Sequence, residues 1–130
     1  MKIEESLRKI AERASRIAKS VDGRSVSVSI PGSARYPNGK PVAEVAKFVE
    51  FGTAKMPPRP FARVAVAENR KKWMTLLKKG LSLAILDGSS VEKPLALVGE
   101  QVKADVMSEI KAFGAVRTGT LLNSFKVEVK

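Results

Sequence analysis

The sequence predicts an α+β fold, a small antiparallel sheet packed with three or four helices, one of them long. Three observations predict it. Apolar residues step by three or four through several long stretches, the period of a helix with one buried face. Two short stretches, one near each end of the chain, alternate apolar and polar residues, the period of a half-buried strand. Proline and glycine gather between these stretches rather than inside them.

With 130 residues and 44% hydrophobic content the chain fits one domain, residues 1–130, around a modest core. It carries 24 Lys and Arg against 13 Asp and Glu, a net charge of +11. The excess is spread over the first two thirds of the chain rather than appended as a tail. An acidic neighbour is therefore expected, nucleic acid first. Cys and His are both absent. Their absence removes disulfides, the usual zinc ligand sets, and the Ser-His and Cys-His nucleophile arrangements. The first turn carries Glu4 and Glu5 and lacks a continuous apolar run, unlike a signal peptide. Nowhere do about 18 apolar residues run together, so no membrane-spanning helix is expected.

In chain order, Ile3, Leu7, Ile10, Ala11, Ala14, Ile17, Ala18 and Val21 form one stripe of an amphipathic helix that Asp22-Gly23 ends. Val26, Val28 and Ile30 then alternate with serines, predicting a strand over about 24–30 that Pro31-Gly32 closes. Pro37-Asn38-Gly39 marks a turn, and residues 31–41 read as an exposed loop. Val42, Val45, Ala46 and Val49 share a helical face behind Pro41, although the β-branched and aromatic content of 42–51 also admits a strand. Gly52 stops either element.

From Phe61 to Leu86 the residues Val64, Ala65, Trp73, Leu76, Leu77, Gly80, Leu81 and Ala84 keep helical spacing, predicting the longest helix, ended by Asp87-Gly88. A further helix follows Ser89-Ser90, with Pro94 in its first turn and a stripe of Leu95, Val98, Val102, Val106, Ile110 and Phe113. Gly99 within it suits a close approach of another element. Phe125, Val127 and Val129 alternate with polar residues, predicting a second strand over about 123–129 that pairs with the first. Two strands leave two open edges, and open edges pair with something.

The stretch from Glu50 to Phe61, EFGTAKMPPRPF, is the most unusual of the chain. Its prolines exclude both a continuing helix and the middle of a sheet, which predicts a stiff connector. Read locally, it is a helix stop and a rigid turn flanked by two core aromatics. Read as a docking element, Phe61 is an anchor and Arg59 pairs a carboxylate, Glu50 being the nearest choice. Arg117-Thr118-Gly119-Thr120 lacks the spaced glycines and Lys-Ser/Thr of a nucleotide loop and reads as a turn. Glu4/Glu5 and Asp105/Glu109 sit at helical spacing on a solvent face, with no sign of converging on a pocket. Arg70, Lys71, Lys72, Lys78 and Lys79 form a basic helix face suited to phosphate or to an acidic partner protein.

These residues resemble the tail-completion or neck proteins of phages and prophages, the minor tail protein Z-like family of siphophages. In that family a V-A-x-x-x-E-F/Y-G-T segment leads into I/M-P-x-R-P-F and a long helix, and T-G-x-L-x-x-S enters the last strand. The likeness rests on Val42, Ala43, Glu50, Phe51, Gly52, Thr53, Met56, Pro57, Arg59, Pro60 and Phe61, and later on Thr118, Gly119, Leu121 and Ser124. It covers about residues 42–129. A longer polar loop precedes Thr-Gly in many relatives, whereas Phe113 to Arg117 is short here.

The resemblance implies a structural virion protein with no reaction and no catalytic residue, metal or cofactor. It would be made in the bacterial cytoplasm and sit at the head–tail junction as a ring-type homo-oligomer such as a hexamer. Its partners would be copies of itself, the tail tube or tail terminator, and head connector proteins. DNA in the channel would be a non-specific contact, and no membrane is involved. A small basic nucleic-acid-binding protein without sequence preference is the alternative the charge supports.

Overall fold

The computed structural model describes residues 3–114 and 119–130. Five helices and two strands follow in the order α1 (Ile3–Val21), β1 (Val26–Ser29), α2 (Val42–Phe51), α3 (Phe61–Asp87), α4 (Glu92–Ala112), α5 (Thr120–Asn123) and β2 (Lys126–Val129). The architecture is α+β, and the segment left open between helix and strand, residues 42–51, is a helix.

The framework is the pair α3 and α4, whose chain reverses at Gly88 in the left-handed conformation (φ 72°). The two helices approach closely where Gly80 faces Pro94, since a Cβ on Gly80 would lie 2.8 Å from the proline Cβ. Ser90 Oγ accepts a hydrogen bond from Glu92 N (3.2 Å), helping to satisfy the first turn of α4. One core forms where α3 begins and α4 ends, from Phe61, Ala65, Val106 and Ile110 with Val42, Ala46, Leu121 and Leu122. A second forms at the opposite end of the pair, from Ala84, Val91 and Leu95 with Ile17 of α1. The long-helix stripe is largely as expected, but Leu76 is 39% exposed because Leu77 and Leu81, not Leu76, face the second core.

β1 and β2 pair antiparallel with Val26 opposite Val129 and Val28 opposite Val127. All four valines are half-buried while their polar neighbours are exposed. They rest on α4 at Gly99, where a Cβ would come within 2.7 Å of Val26 Cγ2 and collide with Val127. The close approach expected at Gly99 is thus to the sheet rather than to a helix. The strands are shorter than 24–30 and 123–129, because Asn123 ends α5 and Ile30 turns away to pack on the first core. No third strand joins either edge among the described residues.

The 31–41 loop folds into a small turn. Tyr36 N donates to Lys40 O (2.9 Å), Gly39 N to Tyr36 O (2.9 Å), and Val42 N to Ala34 O (3.1 Å). At the other end of the molecule, Arg13 of α1 donates to Leu86 O at the last turn of α3 (2.5 Å). Before Arg13 every α1 residue from Ile3 on except Ser6 is exposed. The first ten residues or so of the helix therefore run on past the end of α3, about 15 Å at 1.5 Å per residue.

Candidate interaction site

The chain leaves α2 through Gly52, whose φ of 77° and ψ of 174° lie in a region that essentially only glycine adopts. A Cβ there would lie 2.8 Å from Pro58 N and 2.9 Å from Met56 O, both backbone atoms. Thr53 and Met56 then close a tight turn through Thr53 N to Met56 O (2.9 Å) and Met56 N to Thr53 O (3.3 Å). After Pro57 and Pro58, Arg59 N donates to Val49 O (2.7 Å), so the connector folds back along α2. Pro60, at φ −78° and ψ 65°, makes an inverse γ-turn closed by Phe61 N to Arg59 O (2.8 Å) and delivers the chain into α3. The expected connector is stiff, but it is clasped to its own helix rather than left free.

Glu50 is the centre of this clasp. It is 6% exposed, the one buried charged residue among those described. Its Oε2 accepts from Ala62 N (2.8 Å) and its Oε1 from Arg63 N (3.1 Å) and Arg63 Nε (3.0 Å). Arg63 Nη2 donates to the Glu50 carbonyl oxygen (2.8 Å). Pro60 has no side-chain hydrogen bond to offer α3 and the first turn of α3 has no acid. Glu50 therefore supplies the N-terminal cap from another helix, meeting the free N–H groups and the positive end of the helix dipole. The partner of Glu50 is Arg63, not Arg59. The turn at Pro60 carries the chain round so that the second residue after Phe61 meets the carboxylate, while Arg59 lines a neighbouring groove.

Of the two aromatics, Phe61 is buried at 5% exposure and Phe51 is 62% exposed. The Arg63 guanidinium lies 5.0 Å from the Phe51 ring centre, a cation–π contact on the outside of the clasp. Phe51 is thus not a core residue: the last turn of α2 holds it at the surface, where Arg63 of α3 lies against its ring.

Beside the clasp lies a groove of about 680 Å³ that brings the two motif stretches together. Val45, Phe48, Val49, Met56, Leu121 and Leu122 supply its apolar surface, Thr53 and Gly119 line it, and Lys40 and Arg59 stand with them as the cations. Tyr36 also lines it, its phenol pKa raised by burial. Gly119 is left-handed (φ 77°) at the start of α5, Leu121 is buried at 5% exposure, and Ser124 Oγ donates to Thr120 O (2.5 Å) to close the short helix. Thr118 lies outside the described residues.

Arg70, Lys71, Lys72, Lys78 and Lys79 are all exposed on α3, as a basic face requires. Lys72 is committed, however, at 2.9 Å from Asp105 Oδ2. The same oxygen accepts from Trp73 Nε1 (2.7 Å), and Asp105 Oδ1 accepts from Gln101 Nε2 (3.2 Å). Asp105 is therefore a bridge between α3 and α4 rather than a solvent-face acid. Burial opposes its charge, but the hydrogen bonds from Trp73, Lys72 and Gln101 and the charge of Lys72 outweigh it and lower its pKa. Glu109 is pushed the other way, first by a hydrogen bond with Glu68, then by burial and by the charges of Glu68 and Asp105. Neither the Glu68–Glu109 contact nor the Glu50–Arg63 pair was visible in sequence, since each joins residues on separate elements without a shared period.

Among the described residues no three or more Asp or Glu side chains gather to hold a metal ion, and no helix is long and apolar enough to cross a membrane. Comparison with family models, with characterised proteins and with solved structures returns no match to this chain.

Proposed function

We propose that this chain is a structural virion assembly protein of a phage or prophage that completes the tail at the head–tail junction as an oligomeric ring. The observation that carries the reading is the meeting of two distant motif stretches, Glu50 to Phe61 and Gly119 to Ser124, at one groove. Both stretches are those on which the family resemblance rests. Their packing through Phe61 and Leu121 gives the motifs a common physical purpose, a rigid surface beside an apolar cleft. Two sheet edges to which no further strand is paired among the described residues, and several exposed large apolar side chains, add surface that suits contacts between copies or with the tail.

The test is size-exclusion chromatography with light scattering, joined to a tail-joining assay in a phage lacking this gene. A ring, or a monomer that assembles on a tail tube, supports the reading. A stable monomer that never enters virions defeats it.

A second reading, non-specific binding of nucleic acid, is favoured by Arg70, Lys71, Lys78 and Lys79, which are exposed and make no ion pair among the described residues. It predicts tight binding to random duplex with a steep salt dependence; little binding at about 0.15 M salt removes it.

A further inference from the structure

The two edges of the β1–β2 ribbon differ in the charge they carry. Ser25 and Lys130 exchange both backbone hydrogen bonds, Ser25 N to Lys130 O (3.1 Å) and Lys130 N to Ser25 O (2.8 Å). Such pairs recur at every second position of an antiparallel ladder, so Ser27 with Glu128 and Ser29 with Lys126 are the next two. Val127 and Val129 belong to the intervening pairs, and their N–H and C=O groups point away from β1. No described residue donates to or accepts from them.

On the outer face of β2, Lys126, Glu128 and Lys130 alternate in sign, all exposed and none in an ion pair among the described residues. Across the ladder they meet only Ser29, Ser27 and Ser25. β1 therefore answers none of these charges, and its own edge offers a partner none.

A strand that answers β2 needs the opposite order of charge, and β2 itself, run antiparallel, has it. Its outward-pointing residues must face each other, which puts a two-fold axis at Val127, Glu128 or Val129. With the axis at Val127, Lys126 lies opposite Glu128 of the second copy and Glu128 opposite Lys126 of the second copy, two pairs of opposite charge. With the axis at Glu128 the two glutamates face each other and Lys126 faces a lysine. An axis at Val129 leaves Phe125 to Val127 without partners. The charges select the first register, which also sets Phe125 opposite Val129, both half-buried.

We infer that β2 pairs with β2 of a second copy about a two-fold axis at Val127, joining two ribbons into one four-stranded sheet. Lysines on an edge strand ordinarily keep other strands away, and Glu128 between them admits an identical copy in one register. The contact is isologous, so it makes a pair and does not close a ring. It goes beyond the assembly reading above and stands apart from it.

The chain has no cysteine, which allows a directed test. When Lys126→Cys and Glu128→Cys are mixed under mild oxidation, the two thiols face each other across a pair with Cα atoms about 4.5 Å apart, within disulfide reach. The second Lys126–Glu128 pair is kept. A disulfide-linked dimer is expected from the mixture. Each variant alone should give little, because its two cysteines then lie on the diagonal, about 7–8 Å apart.

Light scattering supplies the second measurement, with circular dichroism to show that each variant remains folded. Lys126→Glu and Glu128→Lys each set like charges in both pairs and should raise the dimer dissociation constant about tenfold or more. Mixed, they should dimerise again. The double variant Lys126→Glu/Glu128→Lys restores opposite charges in swapped order and should dimerise as the parent does.

The contact is overturned if the cysteine mixture gives no more disulfide than either variant alone, or if the single charge reversals associate like the parent. A parent chain that is monomeric at every concentration overturns it as well. A chain that joins tails without forming this disulfide defeats the contact alone, and a chain that forms it and never enters virions defeats the virion reading alone.

Discussion

Two carboxylates fasten α3 to its neighbours, and they do so in different ways. Glu50 and Asp105 have side chains only 8% and 15% exposed, and each faces a cation that is about half exposed, Arg63 at 58% and Lys72 at 47%. Glu50 spends its oxygens largely on backbone N–H groups at the start of α3, whereas Asp105 binds only side chains, Trp73, Lys72 and Gln101. A backbone donor cannot turn away to find water, but a lysine or glutamine can. The difference teaches which of the two sets the path of the chain and which trims the fit between two helices already in place.

Breaking the first should therefore have the larger effect. Glu50→Ala strips the cap from part-buried N–H groups and releases Arg63, and should destabilise by about 3 kcal/mol in urea unfolding. A loss below about 1 kcal/mol would mean that water replaces the carboxylate freely. Gly52→Ala should follow at about 2 kcal/mol or more, because the φ of 77° is strained for alanine and its Cβ meets backbone that has nowhere to move. A variant as stable as the parent would show that the clasp tolerates another path.

Asp105→Asn keeps an acceptor for Trp73 while losing the charge opposite Lys72, and should cost about 1 kcal/mol at pH 7. Its pH dependence sharpens the contrast. The pKa of Asp105 is lowered below the ordinary 3.8, so its stabilisation is present above that value and lost as pH falls through the depressed one. The Asn variant should lose less stability than the parent across that acid range, read from melts at stepped pH.

Glu109 runs in the opposite sense. Its pKa is raised above 4.5, so whatever it contributes is present below that value and lost as pH rises through the raised one. Glu109→Gln should be the mildest change, leaving the chain at least as stable as the parent at pH 7, with the gap closing in acid. A variant that melts earlier at pH 7 would count against repulsion between Glu68 and Glu109.

Much of the framework was legible from the sequence. Helices α1, α3 and α4 carry long apolar periods, and the alternating valines near each end anticipated the pairing of β1 with β2. The identity of α2 was not, because its valines and phenylalanines suit a strand as well as a helix and only the burial of Val42, Ala46 and Glu50 on one face decides. α5 spans four residues, too few for a period to register. At the candidate site the prolines announced a rigid connector and Phe61 an anchor. The partner of Glu50 was hidden, because proximity along the chain favours Arg59 and nothing local tells that Pro60 bends the backbone into an inverse γ-turn. Asp105 looked solvated for a similar reason: its helical spacing to Glu109 says nothing about the indole that reaches it from α3.

The pairing of Val26 with Val129 sets an order of events at birth. During synthesis the first strand leaves the ribosome long before its partner exists, and it must wait while the three helices α2, α3 and α4 and the short α5 are made. Throughout that wait its hydrogen-bonding groups have no native mate, which makes the nascent chain vulnerable to improper pairing with other unfinished molecules. The helical hairpin and its clasp are complete in the chain earlier, so the capture of the second ribbon by the first on the surface of α4 has to follow their synthesis.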